Sequence, residues 1–325
     1  MSKENIWIHV SNIYEAFFTV VLANNLRGRY NIGITYEKSE SIKKILEKIK
    51  TDMKPVKERG WKTPHEKIKK YVTAVKKLYT TKIVQNATLC INYSSPAAAR
   101  TAFGLAKPII TVLTPPVEVK QVKLTGSLSD VIIIPKPYDD YLPLNKGILK
   151  TYDGIPEMVW ESTEGEYTGL IKPLDFTTVE KRLVVVTENL IKLAKNIVER
   201  TDEKIVRIDA SKEQGVTINR RSLTLCYIPS VLYAADLTVS DDPYISRASA
   251  VIGVKTIHFG ADKLVEKMSY KGFPIAVADD GETLKDLISA LDLSKTTRID
   301  IAHLLHDAQN PIEIISQAIN ELRNS

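Results

Sequence analysis

Asp241 and Asp242 stand side by side in "SDDPYISR", a turn between the apolar run "DLTV" and a stretch of small residues with helical character. A strand-to-helix turn of this kind usually receives an anion, because the helix's free N–H groups and dipole point there. Two carboxylates at such a place either cap the helix or accept protons. Three other turns have the same setting: Ser11-Asn12 after "IWIHV", Ser94-Ser95-Pro96 after "TLCINY", and Thr187-Glu188-Asn189 after "LVVVT". Their small polar side chains suit hydrogen bonds to a sugar or phosphate and equally suit helix capping, so both uses stay open. Glu188 and Asp241 are the candidate general bases. Asn12, Ser94, Ser95, Thr187, Asn189 and Arg247 are the candidate substrate contacts. Arg247 follows Pro243 by four residues, near a helix start where the dipole disfavours a cation. It therefore either neutralises one of the two aspartates or clamps a diphosphate.

Other chemistries lack their signatures. No G-x-G-x-x-G follows a strand and no G-x-x-x-x-G-K-[ST] occurs, which lowers the dehydrogenase and phosphate-loop readings and leaves no cofactor assigned. His303 and His306, with Asp300 and Asp307, fall at helical spacing but read better as a polar helix face than as a metal site. Asp139-Asp140 and Asp279-Asp280 read as turn residues or caps. Cys90 and Cys226 both lie in apolar, strand-like runs and read as small core residues.

These residues must be positioned by elements that the sequence announces clearly. Ten short apolar runs recur: "IWIHV", "IGITY", "TLCINY", "IITVL", "VIIIP", "LVVVT", "KIVRI", "DLTVS", "KTIHF" and "PIAVA". Their lack of alternation fits parallel strands covered on both faces. Helical patterns lie between most of them, notably over residues 41–50 and 63–83. Thr63-Pro64 and Asn310-Pro311, each with a glutamate at the third helical position, and Ser95-Pro96 mark helix starts. Asp242 before Pro243 fits the same role, and Asp280 precedes another helix. The strand–helix alternation occurs twice, so the fold class is α/β with two Rossmann-like βα domains facing across a cleft. The expected domains are residues 1–150 and 181–325 with a linker at 151–180 rich in Pro, Gly, Tyr and acidic residues; the packing of the last helix is not readable.

Length and composition agree with this. A chain of 325 residues suits two domains, and 44% hydrophobic with 26% charged residues is globular. No run of about 20 apolar residues is present and the start lacks a secretory pattern, so a cytoplasmic location is expected by default. The net charge of +6 is concentrated: residues 42–82 carry fourteen Lys or Arg against four Asp or Glu. Lys67, Lys69, Lys70, Lys76 and Lys77 lie on one helix there. Such a segment would meet an anionic membrane surface or a lipid-linked phosphate, making the protein peripheral to the membrane, with nucleic acid ranked behind both. A solvated lysine-rich surface is the plainer alternative.

Three stretches, "SSPAAARTAFGLAKPII" (94–110), "TYDGIPEMVW" (151–160) and "SVLYAADLTVSDDPYISRASAVIGVKTIHF" (230–259), together resemble a poorly characterised archaeal and bacterial family of glycosyltransferase-B-like proteins, distant relatives of UDP-N-acetylglucosamine 2-epimerase. The resemblance covers most of residues 6–291. It implies a GT-B-like pair of Rossmann-like domains, with a nucleotide-sugar donor held mainly by the second. It also implies a glycine-rich turn at 240–243, where this chain has the two aspartates. The family's Arg-Glu pair appears as Arg247 and Ala248, its arginine after the first strand of the second domain as Thr187, and a histidine expected near residues 12–18 is absent. Losing the glutamate and one arginine, and gaining carboxylates beside a phosphate, weakens diphosphate binding by several kcal/mol at roughly 1.5–3 kcal/mol per charge-assisted bond. The expected function is a glycosyltransferase or related nucleotide-sugar enzyme with an atypical donor site, acting on a lipid-linked acceptor. The alternative is a catalytically inactive GT-B-like binding or assembly module.

Overall fold

The computed structural model describes residues 3–60, 62–93, 95–115, 119–141, 149–160, 183–193, 204–218, 221–290 and 298–324. The chain divides into two compact units, one of residues 1–156 with 309–325, the other of residues 157–308. Each is built on a seven-stranded sheet.

The first unit contains β1 (Asn5–Val10), β2 (Asn31–Glu37), β3 (Asp52–Val56), β4 (Leu89–Asn92), β5 (Ile109–Val112), β6 (Val131–Pro135) and β7 (Leu149–Tyr152). All are parallel, in the order β3-β2-β1-β4-β5-β6-β7. The central strands are apolar on both faces because helices cover both: Trp7, Ile8, Ile34, Ile91 and Ile110 are fully buried. Its described helices are α1 (Ile13–Leu26), α2 (Glu40–Leu46), α3 (Pro64–Tyr79), α4 (Lys82–Asn86), α5 (Pro96–Gly104) and α6 (Val119–Thr125). The helix expected over 63–83 is broken into α3 and α4, since Thr80 and Thr81 turn their hydroxyls back onto the carbonyls of Lys76 and Lys77 and close the first helix. Thr63 caps α3 and Ser95 caps α5 as their sequences imply.

The second unit contains β8 (Leu183–Thr187), β9 (Lys204–Ile208), β10 (Val216–Ile218), β11 (Arg221–Leu223), β12 (Leu237–Ser240), β13 (Lys255–Phe259) and β14 (Ile275–Ala278), ordered β11-β10-β9-β8-β12-β13-β14. The strands β8, β9, β12, β13 and β14 are parallel, while β10 and β11 add an antiparallel hairpin at one edge. Its described helices are α7 (Ile228–Ala234), α8 (Pro243–Val251), α9 (Lys263–Tyr270), α10 (Gly281–Ala290) and α11 (Ala302–Leu305). After α8 the chain turns at Gly253, which has φ +77°; a Cβ there would also run into the carbonyl oxygen of Ile299, so glycine is required twice over.

The last helix, α12 (Pro311–Asn324), belongs to the first unit rather than to a continuous C-terminal domain. It lays Ile312, Ile315, Ala318 and Ile319 against α1 and the strands β5 to β7. Where the chain leaves and re-enters this unit, the Asp153 N–H donates to Gln309 Oε1 and the Gln309 N–H to the Asp153 carbonyl. Gly154 permits that approach, because a Cβ there would strike the Gln309 carbonyl. Cys90 is a buried strand residue, whereas Cys226 lies half-buried in a helical turn, Leu225–Tyr227, and not in a strand; both are free thiols.

Candidate functional site

In each sheet the strand order reverses once. The chain runs outward one way from β1 and the other way from β4, and in the second unit one way from β8 and the other from β12. Ligands of open α/β sheets gather beyond the carboxyl ends of the strands at such a reversal. Each reversal here carries a polar cluster.

In the first unit the cluster starts inside β1. Trp7 Nε1 donates to Thr35 Oγ1 at 2.7 Å, and Thr35 Oγ1 stands 2.8 Å from His9 Nδ1. Thr35 Oγ1 thus bridges the Trp7 indole and the His9 imidazole. His9 Nε2 lies 3.1 Å from Glu58 Oε1. Glu58 comes from the loop after β3, and Ser95 Oγ donates to its carboxylate at 2.9 Å while accepting the Ala98 N–H as the cap of α5. Burial raises the Glu58 carboxyl, but His9, Ser95 and Arg59 outweigh it and hold the group below its ordinary range. The loop is fixed from below: Glu37, at the end of β2, accepts the N–H groups of Glu58 and Arg59.

Beside this pair, Asn12 and Glu15 form a capping box on α1, each side chain accepting from the other's backbone. Glu15 is wholly buried, and desolvation pushes its carboxyl up to about 6 against the opposing pull of the Ser11 N–H. Asn92, the neighbour of His9 across the β1–β4 ladder, accepts from the Ser95 N–H. Its Nδ2, like Ser11 Oγ, is buried with no hydrogen-bond partner among the described residues. Buried polar atoms are normally satisfied, so these two mark a place where a polar group of a ligand or a water belongs.

In the second unit Thr187 Oγ1 donates to Asp241 Oδ1 at 2.6 Å and Asn189 Nδ2 to Oδ2 at 2.7 Å, so these three sequence-singled residues from two strand ends do come together. Glu188 is exposed, outside that hydrogen-bonded set, and its charge acts on Lys212. Asp242 caps α8, accepting the N–H groups of Tyr244 and Ile245.

Arg247 departs most from expectation. It is fully buried and pairs outside its own turn, with Nε 3.0 Å and Nη2 2.8 Å from the two oxygens of Glu157 and Nη1 3.5 Å from Asp262. Glu157 belongs to the "TYDGIPEMVW" stretch, whose Trp160 packs edge-on against Tyr244. A guanidinium compensated by two carboxylates and removed from water has little charge left for a diphosphate. In the first unit, Asn12 and Ser95 are engaged as caps, and Ser94 lies outside the described residues.

Sequence reasoning missed His9, Glu58 and Glu157. His9 interrupts the apolar run "IWIHV" three residues before the interval in which a histidine was sought, and that interruption was the available signal. Glu58 follows β3, an edge strand whose side chains alternate between more and less exposed and which carries no continuous apolar run to announce it.

Two Rossmann-like units with a polar cluster at each strand-order reversal define a protein of GT-B fold. The chain itself belongs to the family described as "Protein of unknown function (DUF354)", whose profile matches residues 4–168. No curated protein matches it by sequence. Among solved structures, MnaA of S. aureus in complex with UDP is similar at 14% identity and TM-score 0.68, covering 99% of this chain and 97% of that one. The UDP-GlcNAc 2-epimerase of Methanocaldococcus jannaschii in complex with UDP-GlcNAc and UDP gives 13% identity and TM-score 0.66, covering 98% and 99%. MurG of Acinetobacter baumannii gives 10% identity and TM-score 0.57, covering 98% and 99%. At these identities the likeness is one of fold.

Proposed function

We propose that this chain is a glycosyltransferase or related nucleotide-sugar enzyme in which Glu58 accepts the proton, His9 and Ser95 orient it, and the donor site is remodelled around Thr187, Asn189 and Asp241. The observation that carries this reading is the His9–Glu58 contact at the reversal of the first sheet, next to the buried, unsatisfied Ser11 Oγ and Asn92 Nδ2. The Glu58 carboxyl is held below its ordinary range and is ionised at neutral pH, with His9 Nε2 3.1 Å away and Ser95 Oγ donating to it at 2.9 Å. In a transfer reaction it would take the hydrogen of an acceptor hydroxyl as the oxygen bonds to the anomeric carbon and the nucleoside diphosphate leaves with the electron pair. The solved neighbours whose names include UDP or UDP-GlcNAc support the nucleotide-sugar class.

The donor side departs from the implied pattern in a coupled way. Where the resemblance implies an arginine and a glycine, this chain has Thr187 and Asp241, and the two are bonded to each other. The Asp241 carboxylate suits sugar or ribose hydroxyls and opposes phosphate. A lipid-linked acceptor is the finer form of the reading and rests on the lysine-rich α3. The second reading, a non-catalytic module of the same fold, is favoured by the burial of Arg247 and by Asp242 closing the N-terminus of α8.

Thermal shift with UDP-, GDP-, CMP- and dTDP-sugars at millimolar concentration separates the two. A sugar nucleotide at 100 times its dissociation constant stabilises by about 2.7 kcal/mol. Glu58→Gln is expected to keep that shift and lose turnover by 100-fold or more, at the scale of general-base catalysis. No shift with any member of the panel would leave the non-catalytic reading standing.

A further inference from the structure

The first unit exposes an apolar set that its own fold does not use. Ile68, Val72 and Tyr79 on α3, Phe103 on α5 and Leu124 on α6 are each more than half exposed, and most of the large exposed apolar side chains among the described residues belong to these three helices. The helices pack side by side, α3 on α5 and α5 on α6. The inner sides of α3 and α5 share one core with Trp7 and Cys90 through Ala74, Leu78, Ala98 and Ala102. The exposed set is therefore a second apolar face and not a displaced part of the core.

On α3 the set is narrow. At 100° per residue, Ile68, Val72 and Tyr79 fall within about 40° of one another around the helix, and Lys69 and Lys76 follow within the next 60° or so. Together α3, α5 and α6 carry eight Lys or Arg and a single acidic residue, Glu66. Lys69, Lys76, Arg100 and Lys123 are exposed, while Lys70 bends back to bond the carbonyl oxygens of Arg59 and Gly60. Scattered apolar side chains on a surface are ordinary, but a group on three adjacent helices bordered almost wholly by cations is not.

We propose that the α3–α5–α6 face docks on an anionic lipid bilayer, the apolar side chains entering the headgroup–acyl boundary and the lysines meeting lipid phosphates. Charge complementarity selects this occupant. A second copy of the same face would bring Lys69, Lys76, Arg100 and Lys123 against their own counterparts, and three of the five apolar side chains, Ile68, Val72 and Leu124, are aliphatic and give nucleic-acid bases nothing to stack on. An interfacial surface needs both parts, since buried apolar area and attraction to anionic headgroups act together. The inference gives a surface to the lipid-linked acceptor reading but stands on the exposed side chains alone, and it is tested without a nucleotide sugar, so neither result decides the other.

Flotation of the full chain with phosphatidylcholine vesicles, with and without phosphatidylglycerol, measures it directly. Binding is expected only with phosphatidylglycerol and is expected to weaken with salt. Lys69→Gln with Lys76→Gln is expected to weaken it roughly 25-fold, about fivefold for each lysine. Ile68→Ser with Phe103→Ser is expected to weaken it at least 10-fold, with an unchanged melting temperature showing that the fold survives. Equal binding to both vesicle types, or none, would overturn the proposal. So would full retention by the Ile68→Ser, Phe103→Ser variant together with equal binding to duplex DNA, which would make the face a general polyanion surface.

Discussion

Replacing Arg247 by alanine would leave Glu157, with Asp262 nearby, as an uncompensated carboxylate in the interior of the second unit. Breaking a buried pair from one side costs roughly 3–5 kcal/mol, because the remaining charge has lost its compensation. Burial already raises the Glu157 carboxyl against the pull of Arg247, so the variant is expected to take up a proton there as it relaxes. Arg247→Met with Glu157→Leu removes both charges and keeps much of the volume, and is expected to be more stable than Arg247→Ala alone. Chemical denaturation of the variants checks this. A diphosphate clamp at the surface would behave otherwise, with ligand binding lost and stability unchanged. That difference tells a ligand clamp from a residue that holds the Glu157 segment on its unit.

At the scale of elements, the start of α1 couples helix capping to a proton equilibrium. Glu15 completes the capping box and is wholly buried, with its carboxyl raised to about 6. A folded-state value above the unfolded one means that the folded protein binds the proton more tightly. The associated stability is therefore fully present below about pH 4.5 and is lost as pH rises through about 6. The shift corresponds to about 2 kcal/mol. Glu15→Gln keeps a capping-box side chain but cannot titrate, so the stability difference between wild type and variant is expected to fall by about that amount from pH 4 to pH 7. Parallel pH curves would show that Glu15 does not titrate in this range. The same element shows how sequence and structure divide the work: "SNIYE" announces a capped helix, but its carboxylate becomes a buried titrating group only in the folded unit, within reach of His9 and Arg59.

For the whole molecule, the decisive feature is that the first unit is assembled from both ends of the chain. The last helix carries Ile315 into a fully buried position against α1 and the strands β5 to β7, and Arg323 pairs with Glu4 at 2.9 Å. Ile315→Ala is expected to cost roughly 2–5 kcal/mol, as large-to-small core changes do. Its loss is expected in the first unit although it lies near the C-terminus. Hydrogen exchange should accelerate in α1 and in β5 to β7 and stay unchanged in β8 and β12; acceleration confined to the second sheet would contradict the assignment.

The ten apolar runs all became strands, because a strand covered on both faces needs an unbroken apolar sequence and that need is local. The strands β3, β7, β10 and β11 were not announced, since at these edge or hairpin positions the apolar run is interrupted by polar residues, whereas the edge strand β14 keeps its run. Proline-marked caps at Thr63, Ser95, Asp242 and Asn310 were legible for the same reason: a cap is settled by three or four consecutive residues. The clusters were not. Thr187 meets Asp241 across 54 positions, Glu58 meets Ser95 across 37, and Arg247 meets Glu157 across 90. Nothing in a local run of residues encodes which distant loop will arrive beside it. By itself the sequence determined the strands, the caps and the kinds of residue at the strand ends, through sterics, hydrogen-bond supply and apolar burial acting over a few positions. Only the tertiary structure decided which of those residues meet, because partner choice depends on the strand order of the two sheets, and the fold buried Arg247 against Glu157 and drew His9 and Glu58 together.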